Sequence, residues 1–144
     1  MKVNGKRYDW ADVDIKLPGL GDIEVLEISY DDELEKELQY GRGSKPKGYG
    51  TGNYKPNAKL SLSREEFNKI LEYCKKQKMA LYEVEIPKII VSYANDNYPI
   101  VTDVLPNVSF SKNSAKAAQG DKSIKVDLDL LVSGVIIWNG VKAI

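Results

Sequence analysis

Acid-base catalysis, most metal sites and every serine or cysteine dyad that relies on imidazole draw on histidine, and this sequence contains none. The chemistry left to it is that of carboxylates, tyrosines, one cysteine and a glycine-rich stretch. Asp127 and Asp129 stand two apart in a run of alternating apolar and polar residues, with Lys125 beside them. Paired carboxylates can do acid and base work in glycosidases, but a solvated strand face has the same pattern and is far commoner. Cys74 falls on the apolar stripe of a helical segment, where a free thiol is expected to pack in the core. Asp96 supplies one carboxylate to Asn95-Asp96-Asn97, too few for a calcium loop. Neither a catalytic residue, nor a metal ligand, nor a cofactor site is assigned.

The stretch GRGSKPKGYGTG, Gly41 to Gly52, invites comparison with phosphate cradles, in which glycines let backbone N–H groups approach an anion. Gly43 and Gly48 have the P-loop separation, but Tyr49 and Gly50 stand where lysine and serine or threonine are needed. A dinucleotide fingerprint begun at Gly41 fails at Pro46, which replaces the third glycine. Arg42, Lys45, Lys47, Tyr49 and Tyr54 form a basic and aromatic mixture of the kind that grips single-stranded nucleic acid. A solvated loop that docks on a neighbouring subunit accounts for them as well, and loops do this often.

The elements that must carry these residues are mostly strands. At 144 residues the chain has the length of one domain, and its 21 basic and 21 acidic residues leave no net charge to recruit nucleic acid or anionic lipid. No apolar run is long enough to span a bilayer, and the start lacks the apolar stretch of a secretory signal, so a soluble protein, not exported, without membrane partners is expected. A lone cysteine excludes an intrachain disulfide. Asn4-Gly5 and Asn139-Gly140 read as hairpin turns. Strands are expected near 22–30, 54–62, 81–93, 99–111 and 123–138, with polar loops at 41–52 and 112–122. The slip of apolar phase between Val25 and Leu26 implies a bulge or a strand buried on both faces. Ser63 with Glu66 reads as a capping box opening a helix over roughly 64–77, its apolar face Phe67, Ile70, Leu71 and Cys74, its end marked by Lys75, Lys76 and Lys78. Many antiparallel strands with a single helix make a mainly β, α+β chain, a sandwich or barrel with a flanking helix.

Asp31 to Tyr40 supports two readings. Leu34 and Leu38 are four apart among helix-favouring residues, which fits a short amphipathic helix. As a strand, Asp31, Glu33, Glu35, Glu37 and Gln39 would share one face and Asp32, Leu34, Lys36, Leu38 and Tyr40 the other.

Residues 27–67 carry a resemblance. Ile28-Ser29-Tyr30-Asp31, the glutamate-rich stretch, Tyr40-Gly41-Arg42-Gly43-Ser44-Lys45-Pro46, the glycines to Gly52, and Leu60-Ser61-Leu62 leading into Arg64-Glu65-Glu66-Phe67 resemble the tail tube proteins of tailed bacteriophages. The resemblance implies a β-sandwich or barrel with a flanking helix, a structural and non-enzymatic role without a cofactor, and a homo-oligomer. Six copies would join their sheets into a ring, and stacked rings would form the tube through which the genome passes. It implies sheath, baseplate or tape-measure partners, transient passage of DNA without specific binding, and a place in a virion tail assembled in the host bacterial cytoplasm. It tips Asp31 to Tyr40 toward a long hairpin arm, with Asp31, Glu33, Glu35 and Glu37 lining the lumen. Tyr40, Arg42, Ser44, Lys45, Lys47 and Tyr49 become intersubunit contacts. An acidic bore suits DNA passage, since like charge prevents sticking. Rival readings are another tail or baseplate component, the tube of a bacteriocin or secretion machine, or a small β-barrel module that binds sugar or single-stranded nucleic acid on its tyrosines.

Overall fold

The computed structural model describes residues 10–40, 43–95, 98–117, 119–120 and 124–144. Its strands are β1 (Trp10–Lys16), β2 (Glu27–Tyr40), β3 (Pro46–Ser63), β4 (Glu85–Asn95), β5 (Tyr98–Lys116), β6 (Lys125–Val132), β7 (Ile137–Trp138) and β8 (Val141–Lys142). Helix α1 (Arg64–Gln77) follows β3, and a 3-10 turn at Leu81–Glu83 leads into β4. The antiparallel sheet runs in the order β1-β4-β5-β6-β3-β2, with β7 paired to β5 and to β8.

Alternation decides which face is buried. In β6, Val126, Leu128, Leu130 and Val132 are buried while Asp127, Asp129 and Leu131 point the other way. Ala58, Leu60 and Leu62 of β3 and Val108 and Phe110 of β5 continue the buried face. Helix α1 lies across it with Phe67, Ile70 and Cys74 inward. Each fully buried leucine or isoleucine removes enough apolar surface from water to contribute about 1.5–3 kcal/mol. The sheet curls rather than lying flat. Ile86 and Ile89 are both buried although three apart, so the inward phase changes between the Ile86–Val108 and Lys88–Pro106 pairs, beside Asn107 at φ 51°. That curl carries β2, at one end of the strand order, over to side chains of β4 and β5.

The helix has the expected bounds because its signals are local. Ser63 caps it by accepting from the Glu66 N–H, and Lys78 ends it in the left-handed region at φ 56°. The reciprocal half of the capping box is replaced by a different contact. The Ser63 residue already lies in the β3–β6 ladder opposite Lys125, and the Glu66 carboxylate instead accepts from the Glu24 N–H at 3.1 Å. That contact ties the β1–β2 connection to the helix; the Lys69 ammonium at 3.0 Å, and after it the Glu24 N–H, hold the Glu66 carboxyl below the ordinary range.

Several boundaries differ from the sequence expectations. Asp22 to Leu26 is not strand; Ile23 is buried from an irregular segment, and β2 begins only at Glu27. The expected loop at 41–52 shrinks, since Pro46 to Gly52 belong to β3. Among the described residues β3 there has only β2 as a partner, and a strand with one open side tolerates glycine and proline. The expected loop at 112–122 loses Lys112 to Lys116 to β5, which pair with β6 despite lacking β-branched residues. Residues 81–84 form the 3-10 turn and its end rather than strand, and 133–136 separate β6 from β7. The Asn139-Gly140 turn forms as expected, with φ 48° and 87°. The Asn4-Gly5 turn, Arg42 and Asp96 lie outside the described residues.

Candidate functional site

Asp31 to Tyr40 is strand throughout, paired with β3. Beyond Asn57 no strand other than β2 pairs with β3 among the described residues, so residues 32–40 and 46–56 project as a two-stranded arm from the curled sheet. One register shift interrupts it: Leu34 faces Tyr54 but Lys36 faces Thr51, so Gly52 and Asn53 bulge opposite Glu35. Glu35 fastens the bulge, accepting from the Asn53 N–H at 3.2 Å and pairing with Lys55 Nζ at 2.5 Å. The hydrogen-bonded lysine, and then the backbone N–H, hold the Glu35 carboxyl below the ordinary range. A side chain at position 52 would displace that carboxylate from the bulge.

The face bearing Asp31, Glu33, Glu35 and Glu37 continues across four strands as a polar wall. Cross-strand rows run Glu27–Ser61–Asp127–Ser114 and Ser29–Lys59–Asp129–Lys112 from β2 through β3 and β6 to β5. Within the wall Ser61 donates to Asp127 at 2.6 Å, Asn57 donates to Asp31 at 3.2 Å, and Lys125 approaches Glu27 at 3.5 Å. Asp127 and Asp129 therefore sit among hydroxyl and lysine partners on an open strand face. Glu33 faces Lys55 in register and Glu37 faces Gly50, and both are exposed. The acids are concentrated on β2, but lysines of β3 stand directly beside them.

On the other face the arm carries Lys36, Leu38, Tyr40, Tyr49 and Thr51, all exposed, with the Lys36 ammonium 5.2 Å from the centre of the Tyr49 ring. Ser44 and Lys45 are exposed in the turn at its tip, and Lys47 belongs to β3. Of the expected intersubunit residues with described side chains, Tyr40 and Tyr49 share this face and Ser44 and Lys45 cap its end.

Two carboxylates that sequence reasoning missed anchor the root of the arm. Asp32 Oδ2 accepts from Tyr54 OH at 2.7 Å and from the Trp138 indole N–H at 2.9 Å, and the Tyr54 oxygen accepts from the Ile136 N–H at 3.1 Å. Burial, followed by the bond to Asp32, pushes the Tyr54 hydroxyl up to about 12. Asp103, only 5% exposed, accepts from Tyr30 OH and, at 3.0 Å, from the Asn139 N–H. Tyr93 OH lies 2.6 Å from Tyr30 OH, and the Tyr30 and Trp138 rings are 5.2 Å apart. Burial and these bonds raise the Tyr30 hydroxyl far above its ordinary value, so it stays a donor. The cluster ties β2 and β3 to β4, β5 and the β7–β8 hairpin. The sequence signal was present: Asp103 falls on the apolar phase of Val101 and Leu105, and Asp32 on that of Tyr30 and Leu34.

Cys74 is buried, its thiol pushed up by that burial, in agreement with core packing. Among the described residues no group of carboxylates and cysteine has the geometry of a metal cage.

The whole-chain architecture is shared with known structures. A type six secretion system protein superposes with a TM-score of 0.56 at 14% identity, over 92% of this chain and 87% of that one. The fold is the tail tube fold. The tube-terminating cap structure of the anti-feeding prophage contains a chain similar at TM-score 0.51 and 17% identity, over 85% of this chain and 83% of that one. The sheath–tube complex of the PVC extracellular contractile injection system, in its extended state, contains another at 0.51 and 17%, over 88% and 86%. No protein-family model matches the sequence, and no curated protein matches it significantly. The tail tube fold accounts for the arrangement of sheet, flanking helix and long β2–β3 arm that the resemblance implied.

Proposed function

We propose that this chain is a structural subunit that oligomerises into rings, and that the rings stack into the tube of a phage tail or a related injection machine. The observation that carries the reading is the tail tube fold matched over nearly the whole chain. A second feature supports it: the four-stranded wall β5-β6-β3-β2 is polar on one face, buried on the other, and ends at β2, which among the described residues pairs on one side only. A closed ring satisfies such edges, as closure does in a barrel.

In this reading the polar wall faces the bore, and Asp31, Glu33 and Glu37 present their charge to whatever passes. Glu35 serves a different end, since Lys55 and Asn53 engage it. The acidic strand repels phosphate, which suits transit of DNA without binding. The arm's outer face with Tyr40 and Tyr49, and its tip with Ser44 and Lys45, contact neighbouring copies, while sheath, baseplate or cap partners bind the assembled tube. The work is mechanical and calls for neither catalysis nor a cofactor.

Sedimentation velocity over a concentration series, with negative-stain microscopy of the fast-sedimenting fraction, tests the proposal. The expected result is rings or hollow tubes appearing as concentration rises. A monomer at every concentration, also when supplied with preformed tube ends as seeds, would refute it.

A further inference from the structure

A groove of about 550 Å³ opens at the root of the arm, lined by Ile28 and Tyr30 of β2, Tyr93 of β4, Val101 and Asp103 of β5 and Trp138 of β7. That volume suits a small molecule, and small-molecule sites are typically apolar and aromatic with a few placed polar groups. Tyr30, Tyr93 and Trp138 are each half-buried, which leaves part of every ring open. Their polar ends are engaged within the protein. Tyr30 OH donates to Asp103, Tyr93 OH lies 2.6 Å from Tyr30 OH, and the Trp138 N–H donates to Asp32. The groove therefore offers a guest ring surface together with the field of two carboxylates. Among the described residues neither Asp32 nor Asp103 takes part in an ion pair. Buried charges are ordinarily paired with an opposite charge, yet the buried Asp103 has hydrogen bonds alone.

We propose that this groove is a binding site for a small soluble molecule bearing a quaternary ammonium group, held against the aromatic rings with Asp103 supplying the balancing charge. The proposal goes beyond the tube reading and does not depend on it. Charge selects a cation, because an aromatic face and a carboxylate both attract positive charge, the more strongly as water is excluded. Hydrogen bonding selects a quaternary one. Asp103 Oδ2 is occupied by Tyr30 and Oδ1 by the Asn139 N–H, while Asn139 Oδ1 accepts from the Thr102 N–H. A primary ammonium would exchange its bonds to water for little more than the Tyr93 oxygen, and a charge stripped of hydration without replacement is costly. A trimethylammonium group has no N–H to satisfy, and its methyl groups suit Ile28 and Val101. The guest is a soluble molecule rather than a lipid headgroup, since β2, which borders the groove, carries exposed Glu27, Asp31 and Glu33, and these oppose approach to an anionic membrane surface.

The test is a titration of the full chain, kept dilute and in a Trp10→Phe background, with choline chloride against a sodium chloride blank of equal ionic strength, read by Trp138 fluorescence. A saturable change with a midpoint of order millimolar is expected. The uncharged tert-butyl analogue of choline, methylammonium and phosphatidylcholine vesicles are the comparisons, and each is expected to bind at least about tenfold more weakly. Asp103→Asn, which keeps the shape and removes the charge, is expected to weaken choline roughly tenfold. Because that variant could disturb the fold, near-ultraviolet circular dichroism accompanies it and a second pair of variants stands beside it. Tyr93→Phe keeps the ring and is expected to bind as the parent does, whereas Tyr93→Leu is expected to bind roughly three- to tenfold more weakly. The absence of a saturable change with choline would overturn the proposal. Equal affinity for the uncharged analogue or for methylammonium, a signal with vesicles but not with choline, or equal binding by Tyr93→Leu and Tyr93→Phe would overturn it as well.

Discussion

At the scale of single residues, the arm depends on carboxylates placed where strand alternation would put apolar side chains. Asp32 accepts two hydrogen bonds on one oxygen and thereby joins β2, β3 and the β7–β8 hairpin. Replacing Asp32 with alanine removes the acceptor of two part-buried donors, the Trp138 indole N–H and the Tyr54 hydroxyl, which keeps its bond from the Ile136 N–H; the expected cost is about 1–3 kcal/mol in all. Urea unfolding should show the loss, and Trp138 emission, read in a Trp10→Phe background, should move to longer wavelength before global unfolding. An unchanged midpoint and spectrum would mean that the hairpin is held by its strand pairing alone. A second residue has a purely steric role. A Cβ on Gly134 would lie 2.7 Å from Cγ of Pro106, a ring that cannot rotate away. Gly134→Ala is therefore expected to destabilise by about 1–3 kcal/mol, the usual range for overpacking, again measured by urea unfolding.

At the scale of elements, legibility in the sequence followed locality. The helix was readable to its ends because cap, apolar stripe and terminal lysines lie within its own residues. The arm was not. The run Glu33 to Gln39 favours helix, and its strand character comes from pairing with β3, whose glycines and prolines resemble a loop until the partner is known. The far half of β5 was missed for the same reason: Lys112 to Lys116 have little strand propensity and are held by β6. The resemblance to tail tube proteins supplied what local propensity lacked. The bulge at Glu35 gives the arm a measurable pH dependence. Because the folded-state value lies below the unfolded one, the pairing with Lys55 is fully present above the unfolded value and is lost as pH falls through the lowered folded value. In a pH titration followed by NMR, the Asn53 amide should shift with a midpoint below the ordinary carboxylate range. A midpoint at or above that range would show that the Glu35 contacts are absent in solution.

At the scale of the whole molecule, the sheet separates three tasks. Its buried face and α1 make a core, its polar face makes a wall, and the arm extends β2 and β3 beyond both. The absence of net charge conceals local order: on the polar wall β2 carries Asp31, Glu33 and Glu37, while β3 beside it carries Lys55 and Lys59. That order, with the tail tube fold, supports the proposal that copies of this chain form a ring whose bore is the polar wall. The most direct measurement is a cryo-EM reconstruction of the assembled particle at a resolution that separates strands. The expected result is a closed ring with β5, β6, β3 and β2 lining the bore, Asp31, Glu33 and Asp129 toward the channel, and α1 on the outside. A ring lined by α1, or an assembly with the polar wall on its outer surface, would contradict it.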